Sequence, residues 1–256
     1  MPPLHPVASK ENPAFKALKR QLLASGARRT HALLAGAKLF QAWWEVRDTP
    51  AGRRLRPEQW LRLEGAEPHA LEASLPLPGL LLPEARMREL TDMASPPAHA
   101  LVMALEPEPR EPLPERVVGA WGIQDPGNLG AILRAAAAFG FQEVLLGPGT
   151  ADPFSPKGLR GAMGAAFLLP LRRCEALPLD GGRWIALDGG PGAAPLAGVE
   201  LRDPVRILVG NEGHGWQGID LPPAVRRVAI PTEGVESLNA AVALGIACFE
   251  AARRRT

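Results

Sequence analysis

The sequence predicts an α/β protein in two parts, a small N-terminal α/β domain followed by a larger domain built on a parallel sheet. Three observations carry this. Strand-like apolar runs alternate with helix-like amphipathic segments along most of the chain. A stretch of prolines and glutamates, residues 106–116, interrupts the alternation. Beyond it, three strand-like runs each open into a glycine-rich loop. Parallel sheets present their ligand sites at such strand exits.

In chain order, Asn12-Pro13 starts the first helix, with Asn at the cap and Pro at the first helical position. Phe15, Leu18 and Leu22 share one face, and Gly26 is placed to close the helix. Residues 31–34 form a short apolar run, and 37–46 a second helix that buries Leu39, Phe40 and one of Trp43 and Trp44. A third helix is expected over 83–93 and a buried strand over 98–105. The stretch from 106 cannot sustain a helix or an interior strand and reads as an extended linker. The expected domains are therefore 1–105 and 117–256. In the second, 117–121, 143–146, 184–187, 206–209 and 227–230 read as strands. Residues 129–139 form a helix closed by Gly140, and 237–254 a long final helix with Leu238, Val242, Ile246 and Phe249 on one stripe.

Of 256 residues, 46% are hydrophobic and 22% charged, which excludes a disordered chain. No apolar stretch reaches the length of a membrane span. The opening MPPLHPVASKENP lacks a basic segment followed by an apolar one, so no secretory leader is expected. Two cysteines, Cys174 and Cys248, without CxxC spacing exclude a disulfide scaffold and a zinc ribbon. A cytoplasmic location and no metal are expected. The net charge of +2 hides an asymmetry: residues 1–56 hold 11 Lys and Arg against 3 Asp and Glu, whereas 57–116 hold 5 against 11. A basic arm on a neutral body is the footprint of a polyanion partner, with a merely well-solvated basic surface as the alternative. The cations of the first helix and its exit, Lys16, Lys19, Arg20, Arg28 and Arg29, are the candidate contacts for such a partner.

The three loops hold the chemistry. They run GIQDPGNLGAILR from Gly122 to Arg134, ILVGNEGHG from Ile207 to Gly215, and IPTEGVESLN from Ile230 to Asn239. Only four asparagines occur in the chain, and three of them, Asn128, Asn211 and Asn239, lie here. Any one loop taken alone is an ordinary turn, with Asn128 or Ser237 serving as a helix cap. GxxxxGK[ST] is absent, and the one GxGxxG string, Gly213 to Gly218, runs into Leu221-Pro222-Pro223 rather than opening a helix, so a P-loop and dinucleotide binding of the Rossmann type lack support.

Taken together, the three loops closely resemble the three motifs of the SpoU (TrmH) family of RNA ribose 2′-O-methyltransferases, of the SPOUT class. Asn128, Gly130 and Arg134 match its first motif, residues 209–215 its second, and Ile230 through Asn239 its third. Residues 152–170 resemble the family's middle segment. More weakly, KENPAFKALKRQL and HALLAGAKLFQAW resemble the substrate-binding domain of members that modify ribosomal RNA. The resemblance implies a parallel-sheet domain with a C-terminal trefoil knot, a homodimer, and S-adenosylmethionine held near Gly210, Ile230 and Leu238. It implies catalytic roles for Asn128, Arg134, Glu212, Ser237 and Asn239. A guanidinium keeps its proton in proteins, so binding a phosphate and stabilising a developing alkoxide suits Arg134 better than literal deprotonation.

The expected activity is thus methyl transfer to a ribose 2′-hydroxyl, with ribosomal RNA ahead of transfer RNA because of the separate N-terminal domain. A non-catalytic RNA-binding or ribosome-assembly protein of the same fold is the alternative. His214 reads as a loop spacer. Trp43 and Trp44 suit helix packing better than base stacking, and Arg253, Arg254 and Arg255 suit a solvated helix end.

Overall fold

The computed structural model describes residues 4–24, 26–107 and 112–254. Part of the expected linker, 108–111, and Arg255 lie outside the described residues. The chain forms two compact units. Described residues up to Pro107, together with Phe154–Phe167, make the first; those from 112 to Pro153 and from Leu168 onward make the second.

The first unit is built from β1 (Leu4–Pro6), α1 (Pro13–Leu23), β2 (His31–Ala35), α2 (Ala37–Val46), β3 (Leu55–Leu63), α3 (Ala70–Ser74), β4 (Gly79–Leu82), α4 (Glu84–Thr91) and β5 (His99–Leu105). Its strands form a mixed sheet in the order β1-β4-β3-β5-β2, with β5 antiparallel to both β2 and β3. Asn12 caps α1 by accepting from Ala14 N and Phe15 N, and Phe15, Leu18 and Leu22 are buried as the periodicity requires. The helix stops at Leu23, before Gly26, whose positive φ opens a short 3-10 turn instead. Trp43 is buried and Trp44 is half-buried. β3 and β4 were not expected. β3 carries Arg56, Pro57 and Glu58 in its first half and shifts register between Pro57 and Gln59, which hides its alternation.

The second unit contains β6 (Arg116–Ala120), α5 (Pro126–Ala138), β7 (Glu143–Leu146), β8 (Leu171–Arg173), β9 (Arg183–Leu187), β10 (Ala194–Pro195), β11 (Val205–Val209), β12 (Val225–Ala229) and α7 (Ala240–Arg253). The helix between β7 and β8, α6 (Pro156–Ala162), packs with the first unit: Gly164 sits against Ala42 of α2, and Arg160 donates to the Thr91 carbonyl at 3.2 Å. The seven strands are all parallel, ordered β10-β12-β9-β11-β6-β7-β8. β6, β7 and β11 are buried at every position, as strands covered on both faces must be.

Charges inside this sheet stand at the amino ends of the strands and are paired. Arg116 and Arg206 are each 2% exposed. Arg116 Nε donates to Asp203 at 3.0 Å, and Arg206 donates to Asp180 at 2.6 Å and to the Glu115 carbonyl at 2.7 Å. Glu143 accepts from Arg172 at 3.0 Å. Burial alone would raise the Asp180 carboxyl, but hydrogen bonds from Arg206, Gly182 N–H and the Trp184 indole hold it below its usual range.

Two expectations for the last helix change. It starts at Ala240, with Asn239 as its cap, and leaves Ser237 outside. Its stripe of Val242, Ile246 and Phe249 faces outward, 53%, 37% and 51% exposed, while Ala240, Ala241, Leu244, Ala247, Cys248 and Ala251 face the core. The small side chains are what allow α7 to pack against α5 and β11. Burial pushes the Cys248 thiol far up, so it stays protonated and inert. Among the described residues no helix is long and apolar enough to cross a membrane, and no group of three or more potential ligands could hold a metal ion.

Candidate active site

Three loops leave the carboxyl ends of strands in the second unit: 121–125 after β6, 210–216 after the adjacent β11, and 230–239 after β12, which lies beyond β9. Asp125 begins α5 by accepting from the Asn128 backbone N–H at 2.9 Å, with Pro126 in the first turn. Asn239 begins α7 by accepting from Ala241 N at 2.9 Å and Val242 N at 3.3 Å. Both helices therefore start at the same end of the sheet, each fixed by a local side chain.

A chain of side-chain hydrogen bonds ties the three loops together. Asn239 Nδ2 donates to Asn128 Oδ1 at 3.0 Å, and Asn128 Nδ2 donates to Glu212 Oε1 at 3.1 Å. Glu212 also accepts from the backbone N–H groups of Gln124 and Asp125, each at 3.4 Å. Asn128, Glu212 and Asn239 thus have both ends of their polar groups occupied by the protein. Their role is to fix the loops.

Arg134 and Ser237 are different. Arg134 projects from α5 and is exposed, with no hydrogen bond or ion pair among the described residues. Ser237 is exposed in the 230–239 loop and also lacks a partner. The five residues proposed as catalytic therefore divide into three that hold the loops and two that are free to meet a ligand.

Of the three positions expected at the cofactor, Gly210 is buried and Ile230 and Leu238 are half-buried. A Cβ at Gly210 would stand 2.6 Å from the Gly215 carbonyl oxygen, so only glycine lets the loop fold back here. Asn211 and Gly215 then pair through two backbone hydrogen bonds, at 3.0 and 2.9 Å. The turn thus presents main-chain groups at the carboxyl end of β11.

Two positioning residues were given no role in the sequence reading. Asn211 Nδ2 donates to the Gly122 carbonyl at 2.8 Å, while its Oδ1 accepts from Gly213 N and His214 N. Trp216 Nε1 donates to the Leu187 carbonyl at 2.8 Å, anchoring the second loop to the end of β9. The scarcity of asparagine pointed to the first; nothing local pointed to the second. His214 is exposed, consistent with a spacer.

The cations of α1 and its exit do not make one free surface. Lys16 pairs with Glu11 and Lys19 with Glu89, whose carboxyl is held low chiefly by the Lys19 hydrogen bond. Arg29 donates to the carbonyls of Leu22 at 2.9 Å and His31 at 3.2 Å, closing the end of α1. Only Arg20 and Arg28 are exposed without a partner among the described residues.

The profile of the SpoU rRNA Methylase family matches residues 115–249. The chain belongs to that family. It is 32% identical, over 97% of its length and 94% of the relative's, to an uncharacterized tRNA/rRNA methyltransferase of Synechocystis. It is 34% identical to the 23S rRNA (guanosine(2553)-2′-O)-methyltransferase RlmP of Bacillus subtilis, over 66% of this chain and 70% of that one. In three dimensions it is similar to an rRNA methyltransferase from Sinorhizobium meliloti solved with AdoMet bound, with a TM-score of 0.79, 24% identity and 98% of each chain covered. The SpoU segment begins within the 106–116 stretch and spans all three loops.

Proposed function

We propose that this protein transfers the methyl group of S-adenosylmethionine to a ribose 2′-hydroxyl of ribosomal RNA. The observation that carries the reading is the Asn239–Asn128–Glu212 chain, which fixes the three SpoU motifs at one end of a parallel sheet and leaves Arg134 and Ser237 unengaged. Gly210, Ile230 and Leu238 hold the cofactor, mainly through backbone groups. S-adenosylmethionine supplies an electrophilic methyl on a sulfonium. Arg134 binds the phosphate next to the target ribose and stabilises the negative charge that develops on O2′ as its proton passes to solvent water. Ser237 orients the hydroxyl, and the fixed loops keep the approach in line.

We further propose that 230–239 threads to form a trefoil knot and that the protein acts as a homodimer. The knot reading is supported by α7, which returns from β12 to pack against α5 and β11. The dimer reading is supported by the exposed Val242, Ile246 and Phe249, with Phe139 stacked edge-on against Phe249 at 5.9 Å. Such a contiguous apolar stripe is a protein-facing surface. The first unit serves as the RNA-binding domain.

Methyl transfer from labelled S-adenosylmethionine to a 23S ribosomal RNA transcript tests the activity, and mapping 2′-O-methyl positions in cells with and without the protein tests the substrate. A methyl lost from transfer RNA with ribosomal RNA unchanged would move the substrate and leave the chemistry. No calorimetric binding of S-adenosylmethionine or its demethylated product would refute the enzyme.

A further inference from the structure

The first unit has a second basic feature that the α1 reading passed over. The segment RDTPAGRRLR, residues 47–56, carries four arginines against one aspartate. It is also built rigidly. Thr49 donates its hydroxyl to the Val46 carbonyl at 2.7 Å and accepts from Gly52 N at 3.1 Å. Thr49 N donates to the same Val46 carbonyl, and Arg53 N to the Thr49 carbonyl. A Cβ at Gly52 would lie 1.9 Å from the Val46 carbonyl oxygen, so the turn tolerates only glycine.

This turn fixes its cations beside an aromatic ring. The Arg47 guanidinium lies 4.1 Å from the ring centroid of Trp44, donates to the Trp44 carbonyl, and is braced by Asp48 at 3.3 Å. Arg47 remains 38% exposed. Arg53 is exposed and has no partner among the described residues. Lys38 and Gln41 are exposed on the same helix as Trp44. A fixed guanidinium plane stacked on an indole, with an unpaired arginine on the adjoining turn, combines stacking with phosphate neutralisation. Single-stranded RNA is bound through that combination.

We propose that the Trp44–Arg47 stack and Arg53 are the RNA-contacting surface of the first unit, holding a single-stranded segment of the RNA, and that α1 is peripheral to it. The inference rests on the methyltransferase reading only for its ligand class. Three of the five cations around α1 are engaged with the protein, and in this segment Arg54 donates to the Glu106 carbonyl and Arg56 to Glu58; what sets the turn apart is the Arg47 guanidinium held over the Trp44 ring beside Arg53.

Fluorescence anisotropy of the full chain with a single-stranded oligoribonucleotide, and with a duplex of equal length, tests it across a salt series. The variant Arg47→Ala/Arg53→Ala is expected to weaken single-strand binding by about ten-fold and to lower the slope of log affinity against log salt by about 1 to 2. Trp44→Leu is expected to weaken single-strand binding more than duplex binding, and Trp44→Phe to restore most of it. The reversal Lys16→Glu/Lys19→Glu/Arg20→Glu is expected to change affinity by less than about two-fold. Unaltered binding in the first variant, or a larger loss in the reversal, would overturn the assignment while intact S-adenosylmethionine binding leaves the enzyme standing. Equal losses on single strand and duplex for Trp44→Leu would make the surface a simple phosphate clamp and remove the stacking role. A wild-type chain that binds neither RNA would overturn both.

Discussion

The two sheets of this chain treat polar groups in opposite ways. The mixed sheet of the first unit carries its polar cluster on one flank. There His69 caps α3 and Glu72 accepts from Arg62 at 3.2 Å, while His99 stacks near His69 at 5.3 Å. The parallel sheet of the second unit keeps the interiors of its fully buried strands β6, β7 and β11 apolar and sends their charge to the ends. At the amino ends, Arg116 and Arg206 are buried and paired with acids. At the carboxyl ends, polar side chains lock loops and leave two groups open. The difference teaches that one end of a parallel sheet serves architecture so that the other can be kept for chemistry, a separation the mixed sheet lacks.

That separation is open to test, and Arg134 is where the largest effect is expected. Arg134→Ala should lower methyl transfer by about 10² to 10³-fold, the scale for losing one donor to a developing oxyanion. Thermal stability and S-adenosylmethionine binding should not change, because the side chain has no partner among the described residues to lose. A matching fall in melting temperature would mean that the carboxyl end is architecture too.

At the opposite end the expectation reverses. Asp180→Asn leaves Arg206 buried without a counter-charge, at a cost on the order of 3 kcal/mol. The Asp180 carboxyl is held low in the folded state. Its contribution is therefore present above the unfolded value of about 3.9 and disappears as pH falls through the lower folded value. Urea titrations across that acid range should show a flatter stability profile for Asp180→Asn than for the wild type. S-adenosylmethionine binding at neutral pH should survive.

Asn239 joins the two behaviours and sharpens the comparison. Asn239→Ala removes a helix cap, about 1 kcal/mol. Asn239→Asp keeps an accepting oxygen for Ala241 N and Val242 N but cannot donate to Asn128. Stability should hold in the aspartate variant while methyl transfer falls by about ten-fold, the loss of one hydrogen bond of about 1.4 kcal/mol. Equal rates in wild type and Asn239→Asp would detach the loop lock from catalysis.

The smallest effect belongs to the mixed sheet. Burial, then the neighbouring His99, pushes the His69 imidazole below its ordinary value, while Glu72 pulls it back up. Its neutral Nδ1 accepts from Leu71 N at 3.2 Å, which a protonated ring cannot do. Stability from this group is complete above the unfolded value of about 6.5 and declines as pH falls toward the folded one. His69→Asn keeps a capping oxygen and should remove that decline, by a few tenths of a kcal/mol in denaturation measured on either side of pH 6.5.

Much of the fold was legible because its signals are local. Asn12-Pro13 marked α1, and the apolar runs at 117–121, 143–146 and 206–209 fell on β6, β7 and β11 within one residue at each end. β3 was missed because Pro57 and its register shift break the alternation that marks a strand. The stripe on α7 was read correctly as a stripe, yet it points outward, since periodicity gives a face and not its direction.

The site divides along the same line. The scarcity of asparagine in the sequence pointed to the three loops, and the resemblance of those loops to the SpoU motifs grouped Asn128, Arg134, Glu212, Ser237 and Asn239 as the expected set. Only the tertiary structure decided which of these are occupied by the protein and which are free. Asn128 meets Glu212 across 84 positions and Asn239 across 111, so their saturation depends on a sheet order that no local pattern encodes. Arg134 and Ser237 stay open because no described residue hydrogen-bonds or pairs with them.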